Sequence, residues 1–192
     1  MLETLRHHLS AYVNFTDEEF EYFSQHVEIR SFDKKQQLTK IGQMENYMNF
    51  VLKGLARKYF LKGKEQVVVQ IAKEFDVIYA KNSFELGQLS LYIVETIEPT
   101  VFASISKENL EKMFEHSHQV ERLGRRIIVD CYLQKESWEY DRMSLNTRER
   151  FVQFMRDNSD LLQRVPQKIL ASYLNIKPET FSRLKHLLQK KK

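Results

Sequence analysis

Residues 165–188 read VPQKILASYLNIKPETFSRLKHLL, and this stretch decides how the rest of the chain is read. Pro166 suits the opening of a helix, where its missing N–H is not needed. Leu170, Ala171 and Leu174 then share one helix face. Asn175 falls where that helix must turn, because Asn tolerates the left-handed conformation better than most residues. Ile176 is expected to pack inward, and Pro178 fits the first turn of a second helix. Phe181 and Leu184 would bury that helix against the first, and the small Ala171 lets the two cross closely. The pattern predicts a helix-turn-helix centred on residues 171–184.

The second helix would face outward with Pro178, Glu179, Ser182, Arg183 and His186. Glu179, Ser182 and Arg183 are the expected base-reading residues. Arg183 can offer two donors to guanine O6 and N7, and Glu179 can accept from cytosine N4. Ser182 can bond a base edge or a phosphate oxygen. Glu179 also suits a helix N-terminus by its charge alone. Lys168, Lys177, Thr180 and Lys185 are expected on phosphates, which position a protein without reading sequence.

Charge supports this end as the one that meets a polyanion. Residues 142–192 hold 12 of the 30 Lys and Arg but only 4 of the 26 Asp and Glu, a net +8. Residues 1–141 carry −4. Charge alone fits a solvated basic face equally well; joined to the helix-turn-helix it favours duplex DNA.

Upstream, Asn146 and Thr147 offer caps for a helix over about 148–157, with Phe151, Phe154 and Met155 as its apolar side. Before that, Val120, Leu123, Ile127, Cys131, Gln134 and Trp138 recur at roughly 3.5 residues along one long helix. That seam can pair with a copy of itself or lie on the preceding domain. Ile128, Tyr132 and Leu133 supply a second face for the other role. Residues 107–114 read as a short helix.

Between about Val27 and Ile105 the pattern is short Val-, Ile-, Phe- and Tyr-rich stretches separated by Gly42, Gly54, Gly63 and Gly87. Such spacing predicts an antiparallel barrel or roll. In front of it, Leu2, Leu5 and Leu9 mark one helix. Thr16 caps another that carries Phe20 and Phe23. The fold class is therefore α+β.

Several classes are excluded. No apolar run approaches the ~20 residues of a membrane span, and the N-terminus lacks a signal core, so a cytoplasmic protein is expected. The single Cys131 cannot build a disulfide framework or an iron–sulfur cluster. The pairs His7-His8 and His116…His118 read as surface imidazoles, and no cofactor or metal is expected. No phosphate loop, HExxH or nucleophile elbow is present, which speaks against an enzyme.

The segment Glu179-Thr180-Phe181-Ser182-Arg183 resembles the recognition core of Crp/Fnr-type regulators. The order of parts is similar throughout: a helical lead-in, a double-stranded β-helix roll of the cyclic-nucleotide-binding (cupin-like, jelly-roll) type, a long dimerisation helix, then the helix-turn-helix. Gly42 and residues 51–54 fall at family landmarks. The resemblance implies a sensor domain over 1–115, a dimerisation helix and hinge over 116–145, and a DNA-binding domain over 146–192. It implies a homodimer on a pseudo-palindromic site, with RNA polymerase as a further partner. The family often adds a hairpin wing after the recognition helix, and little or none is expected here.

Where cyclic-nucleotide-binding members carry a Gly-Glu pair and an Arg-Ser pair, this chain has Tyr79-Ala80 and Ser90-Leu91. Residues 79–97 contain no Arg. Asp76 is kept, as a turn residue. A buried phosphate with no cationic partner is poorly held, so cAMP is not expected in the usual mode. An effector pocket of Tyr79, Ala80, Ser90, Leu91, Tyr92 and Gln134 would take some other small molecule, or none. The other reading of the whole chain is a ligand-sensing or protein-interaction module whose helix-turn-helix has degenerated.

Overall fold

A computed structural model describes residues 1–189. Two helices lead in, α1 (Leu2–Leu9) and α2 (Asp17–Gln25). A reciprocal cap starts α2: the Thr16 hydroxyl accepts from the Glu19 N–H at 3.2 Å, and the Glu19 carboxylate accepts from the Thr16 N–H at 2.9 Å.

Short antiparallel strands follow. They are β1 (Glu28–Phe32), β2 (Gln37–Thr39), β3 (Tyr47–Lys53), β4 (Ala56–Lys62), β5 (Glu65–Ala72) and β6 (Val77–Ile78), then helix α3 (Lys81–Leu86), β7 (Ile93–Thr96) and β8 (Thr100–Ser106). They form two four-stranded sheets, ordered β1-β8-β3-β6 and β2-β7-β4-β5. Val51, Ala56, Ile78, Val94 and Phe102 fill the space between them. Gly54 joins β3 to β4 at φ +99°, where an added Cβ would lie 2.6 Å from the Pro99 carbonyl oxygen. No other residue type fits that turn without strain.

Helices α4 (Lys107–His116) and α5 (His118–Ser144) come next. They cross closely because Gly124 has no side chain: a Cβ there would meet the Phe114 ring at 2.7 Å. The two apolar faces of α5 take different roles. Val120, Leu123 and Ile127 are buried in one core with Leu5, Leu9, Phe20, Phe23 and Met113. Tyr12 ties the lead-in to the same helix by donating to Asp130 at 3.0 Å. The opposite face, with Ile128, Val129, Tyr132, Leu133, Tyr140 and Met143, is 51–87 % exposed.

Four helices end the described chain: α6 (Thr147–Asp157), α7 (Leu161–Arg164), α8 (Gln167–Tyr173) and α9 (Pro178–Gln189). Asn146 and Glu149 cap α6 reciprocally. Phe151, Met155, Leu161, Val165, Leu170, Ala171, Phe181 and Leu184 form the helical core, and the roll closes it with Leu55 and Ile97.

The roll also holds α8 by polar contacts. β5 is the edge strand of its sheet, and an edge leaves N–H and C=O groups unpaired. The Ser172 hydroxyl satisfies two of them, accepting from the Val68 N–H at 3.0 Å and donating to the Gln66 carbonyl at 2.8 Å. The Arg164 guanidinium bridges Glu74 at 2.7 Å and Glu98 at 2.6 Å.

Candidate nucleic-acid interface

The turn between α8 and α9 is built from local geometry. Asn175 lies at φ 54°, the left-handed region. Its N–H donates to the Ser172 carbonyl, and the Ile176 N–H reaches back to the Ala171 carbonyl, both at 3.0 Å. This pair of bonds is a Schellman motif, which satisfies the last carbonyls of α8. Pro178 is the first residue of α9. Phe181 is fully buried and stands edge-on to Phe151, with ring centres 5.1 Å apart. That contact fixes the rotation of α9 about its axis.

With Phe181 and Leu184 turned inward, Glu179 and Arg183 are left exposed and Ser182 half-buried. The three positions, three or four apart, share one side of the helix. Among the described residues none of them has a side-chain hydrogen bond or ion pair to another group. Lys168 and Lys177 are exposed, and Thr180 and Lys185 are half-buried on the flanks. Lys190, Lys191 and Lys192, which add to the basic balance, lie outside the described residues, and the expectation about a wing falls on that same end.

The roll's ligand end is arranged differently. Tyr79, Ala80 and Ser90 are buried, Tyr92 is half-buried and Leu91 is 72 % exposed. Lys58 brings the two tyrosines together: its amine donates to the Tyr79 carbonyl at 3.2 Å and lies 5.7 Å from the Tyr92 ring centre. Burial, and then the charge of Lys81, lowers this amine to about 8. Gln134 donates to Asp130 at 3.0 Å and lines a cleft between α5, α6 and α8.

Sequence reading missed Glu45, which is buried at the start of α3. Its carboxylate accepts from the Thr39 hydroxyl at 2.5 Å, the Ala80 N–H at 3.1 Å and the Tyr47 N–H at 3.3 Å. The Ser90 hydroxyl is engaged locally, donating to the Tyr92 carbonyl at 2.8 Å and accepting from the Tyr92 N–H at 3.1 Å. Arg57 is bound side-on to Glu95 at 2.6 and 3.1 Å. The Ala80 N–H in front of α3 is thus taken by a carboxylate of the chain itself. Sequence spacing does not mark Glu45, because the Ala80 N–H that it holds comes from 35 residues away.

Among the described residues no cluster of three or more His, Cys, Asp or Glu side chains is placed to hold a metal, and no helix is long and apolar enough to cross a membrane.

No protein-family model matches the sequence, and no curated protein does. Solved structures do match. FixK2 from Bradyrhizobium japonicum superposes with a TM-score of 0.75 at 18 % identity, over 86 % of this chain and 85 % of that one. A transcriptional regulator of the Crp/Fnr family from Eubacterium rectale gives 0.70 at 13 % identity, over 93 % and 85 %. A cyclic nucleotide-binding domain from Methylobacillus flagellatus gives 0.63 at 16 %, over 73 % and 81 %. At these identities the likeness is one of fold. The chain has the fold of Crp/Fnr-type regulators: a cyclic-nucleotide-binding-like roll carried by a long helix into a helical domain.

Proposed function

We propose that this chain is a DNA-binding transcription regulator of the Crp/Fnr type. The observation that carries the reading is the outward-facing trio of exposed Glu179 and Arg183 with half-buried Ser182, on a helix whose rotation is fixed by buried Phe181. A recognition helix enters the major groove with its N-terminal residues against base edges, the end of α9 where these three stand. Lys168, Lys177, Thr180 and Lys185 serve the phosphates on either side.

The protein acts as a homodimer through the exposed face of α5, because a stripe of six large apolar side chains on a long helix is stable when covered by its own copy. Residues 1–115 are the sensor unit, 116–145 the dimerisation helix and hinge, and 146–192 the DNA-binding unit. Two copies of α9 then read a pseudo-palindromic site and act on RNA polymerase in the cytoplasm, without catalysis. The sensor unit does not take cAMP in the usual mode, since the buried Glu45 carboxylate already takes the Ala80 N–H and Arg57 is already paired with Glu95.

Selection of binding sites from genomic fragments with the purified chain tests this. A two-fold-symmetric site with a steep fall of affinity as salt rises is expected. Failure to recover protected fragments at moderate salt overturns it in favour of an interaction module. Stoichiometric cAMP binding that a Ser90 substitution abolishes overturns the sensor part alone.

A further inference from the structure

A cavity of about 480 Å³ lies where the roll, the long helix and the DNA-binding unit meet. Ile71 reaches it from β5, Trp138 and Asp141 from α5, Arg150 and Phe154 from α6, and Tyr173 from α8. Its volume is that of a small-molecule site, and such sites favour junctions between domains. On α5 it is lined by Gln134, Ser137, Trp138 and Asp141, and it meets the exposed stripe at Leu133.

The walls are not uniform. Three aromatic rings stand together: Tyr173 lies 5.9 Å from Trp138 and 5.6 Å from Phe154, centre to centre. Beside them is an incomplete ion site. Arg150 donates through Nη1 to the carbonyls of Arg142 and Leu145, both at 3.3 Å, but its Nε is buried with no hydrogen-bond partner among the described residues. That Nε is enclosed by the protein, but Nη2 also has no hydrogen-bond partner among the described residues and is left to bond a charged acceptor in the cavity. A guanidinium N–H suits the oxygens of a carboxylate or a phosphate. The two acids on the wall limit what that acceptor can belong to. Asp157 is paired with Arg156 at 2.9 Å. Asp141 accepts only from the neutral Gln153, at 3.0 Å, so its charge remains. A second negative charge on the ligand would be repelled there, whereas a donor would be welcomed.

We propose that this cavity binds a small aromatic monocarboxylic acid carrying a hydrogen-bond donor, with its carboxylate on Arg150, its ring among Trp138, Phe154 and Tyr173, and its donor toward Asp141. Touching all three units, the acid would set the angle of the DNA-binding unit to the long helix; that regulatory role rests on the regulator reading above.

Trp138 is the one tryptophan of the chain and reports on the cavity directly. The experiment titrates the full chain with 4-hydroxyphenylacetate and 4-hydroxybenzoate and follows tryptophan fluorescence. A saturable change is expected, with 4-hydroxyphenylacetamide at least about tenfold weaker, the loss of one charge-assisted bond. Arg150→Lys keeps the charge but not the fork, and should weaken the acids about tenfold. Ser137→Leu, on an exposed turn at the rim, should abolish binding while the melting curve stays that of the parent. No saturable change with either acid overturns the proposal, as does equal affinity for acid and amide, or unchanged affinity in both variants. Specific DNA binding is measured on the same preparation. DNA binding without acid binding overturns this site alone, and acid binding without DNA binding overturns the regulator reading alone.

Discussion

The beginnings of α9 and of α3 are finished in opposite ways. On α9, Glu179 and Arg183 project with no partner among the described residues. At α3, the Ala80 N–H is taken by the buried Glu45 carboxylate, and the Ser90 hydroxyl nearby is spent on Tyr92. One end is left open; the other is closed by a group of the same chain. A shared fold therefore does not imply a shared ligand site, because the roll keeps its shape when an internal ion replaces an external one.

The comparison breaks most violently at Phe181. Phe181→Ala empties a fully buried position under α9 and should destabilise the helical unit by about 3–5 kcal/mol, read from denaturant unfolding. A loss below about 1 kcal/mol would mean that α9 is not held as described. Next, Arg183→Ala should weaken the preferred DNA site by about 1–3 kcal/mol and relax choice at one base pair, while Lys177→Ala weakens all sequences alike. Equal effects of the two on specific and random DNA would remove the base-reading role. On the closed side, Glu45→Ala strands three donors and should lower stability by about 1–3 kcal/mol, with the DNA preference unchanged. A variant as stable as the parent would show that the corner is open after all.

The smallest effect concerns the clamp between the two regions. Burial alone would raise the Glu74 carboxyl, but hydrogen bonds from Arg164 and the backbone more than offset it and hold the group at about 2, against 4.5 ordinarily. A depressed carboxyl stabilises the fold above its unfolded value and loses that contribution as pH falls through its folded one. Stability should therefore decline from about pH 4.5 toward 2, and Glu74→Gln should flatten that decline in an acid titration followed by circular dichroism. Superimposable acid curves would mean that the clamp contributes nothing.

The helix-turn-helix was legible because its determinants are neighbours in the chain. Asn175, Pro178 and the Ala171 contact act within a dozen residues, so their order implies their geometry. The roll was legible in outline from glycines at its turns. The long helix was legible as a helix but not in orientation: it has two apolar faces, and periodicity does not say which neighbour each one meets. Gln134, expected beside Tyr79, faces the cleft toward α6 and α8. Glu45, Ser172 and Arg164 were not legible at all. Their partners lie 35, 104 and 90 residues away, where no spacing rule reaches.

By itself, then, the sequence determined the kind of each part: a turn that favours Asn, a helix face carrying Glu179 and Arg183, strands punctuated by glycine, and a loop over 79–97 without arginine. Those properties depend on dihedral preference and on which side chains exist, and both are local. The tertiary structure decided which face of α5 meets the roll, which carboxylate closes the start of α3, how Ser172 ties α8 to an edge strand and how Arg164 of α7 bridges Glu74 and Glu98. It also left Arg150 with a buried donor at a junction of three units. These depend on which distant groups desolvate together, and only the assembled core brings them into contact.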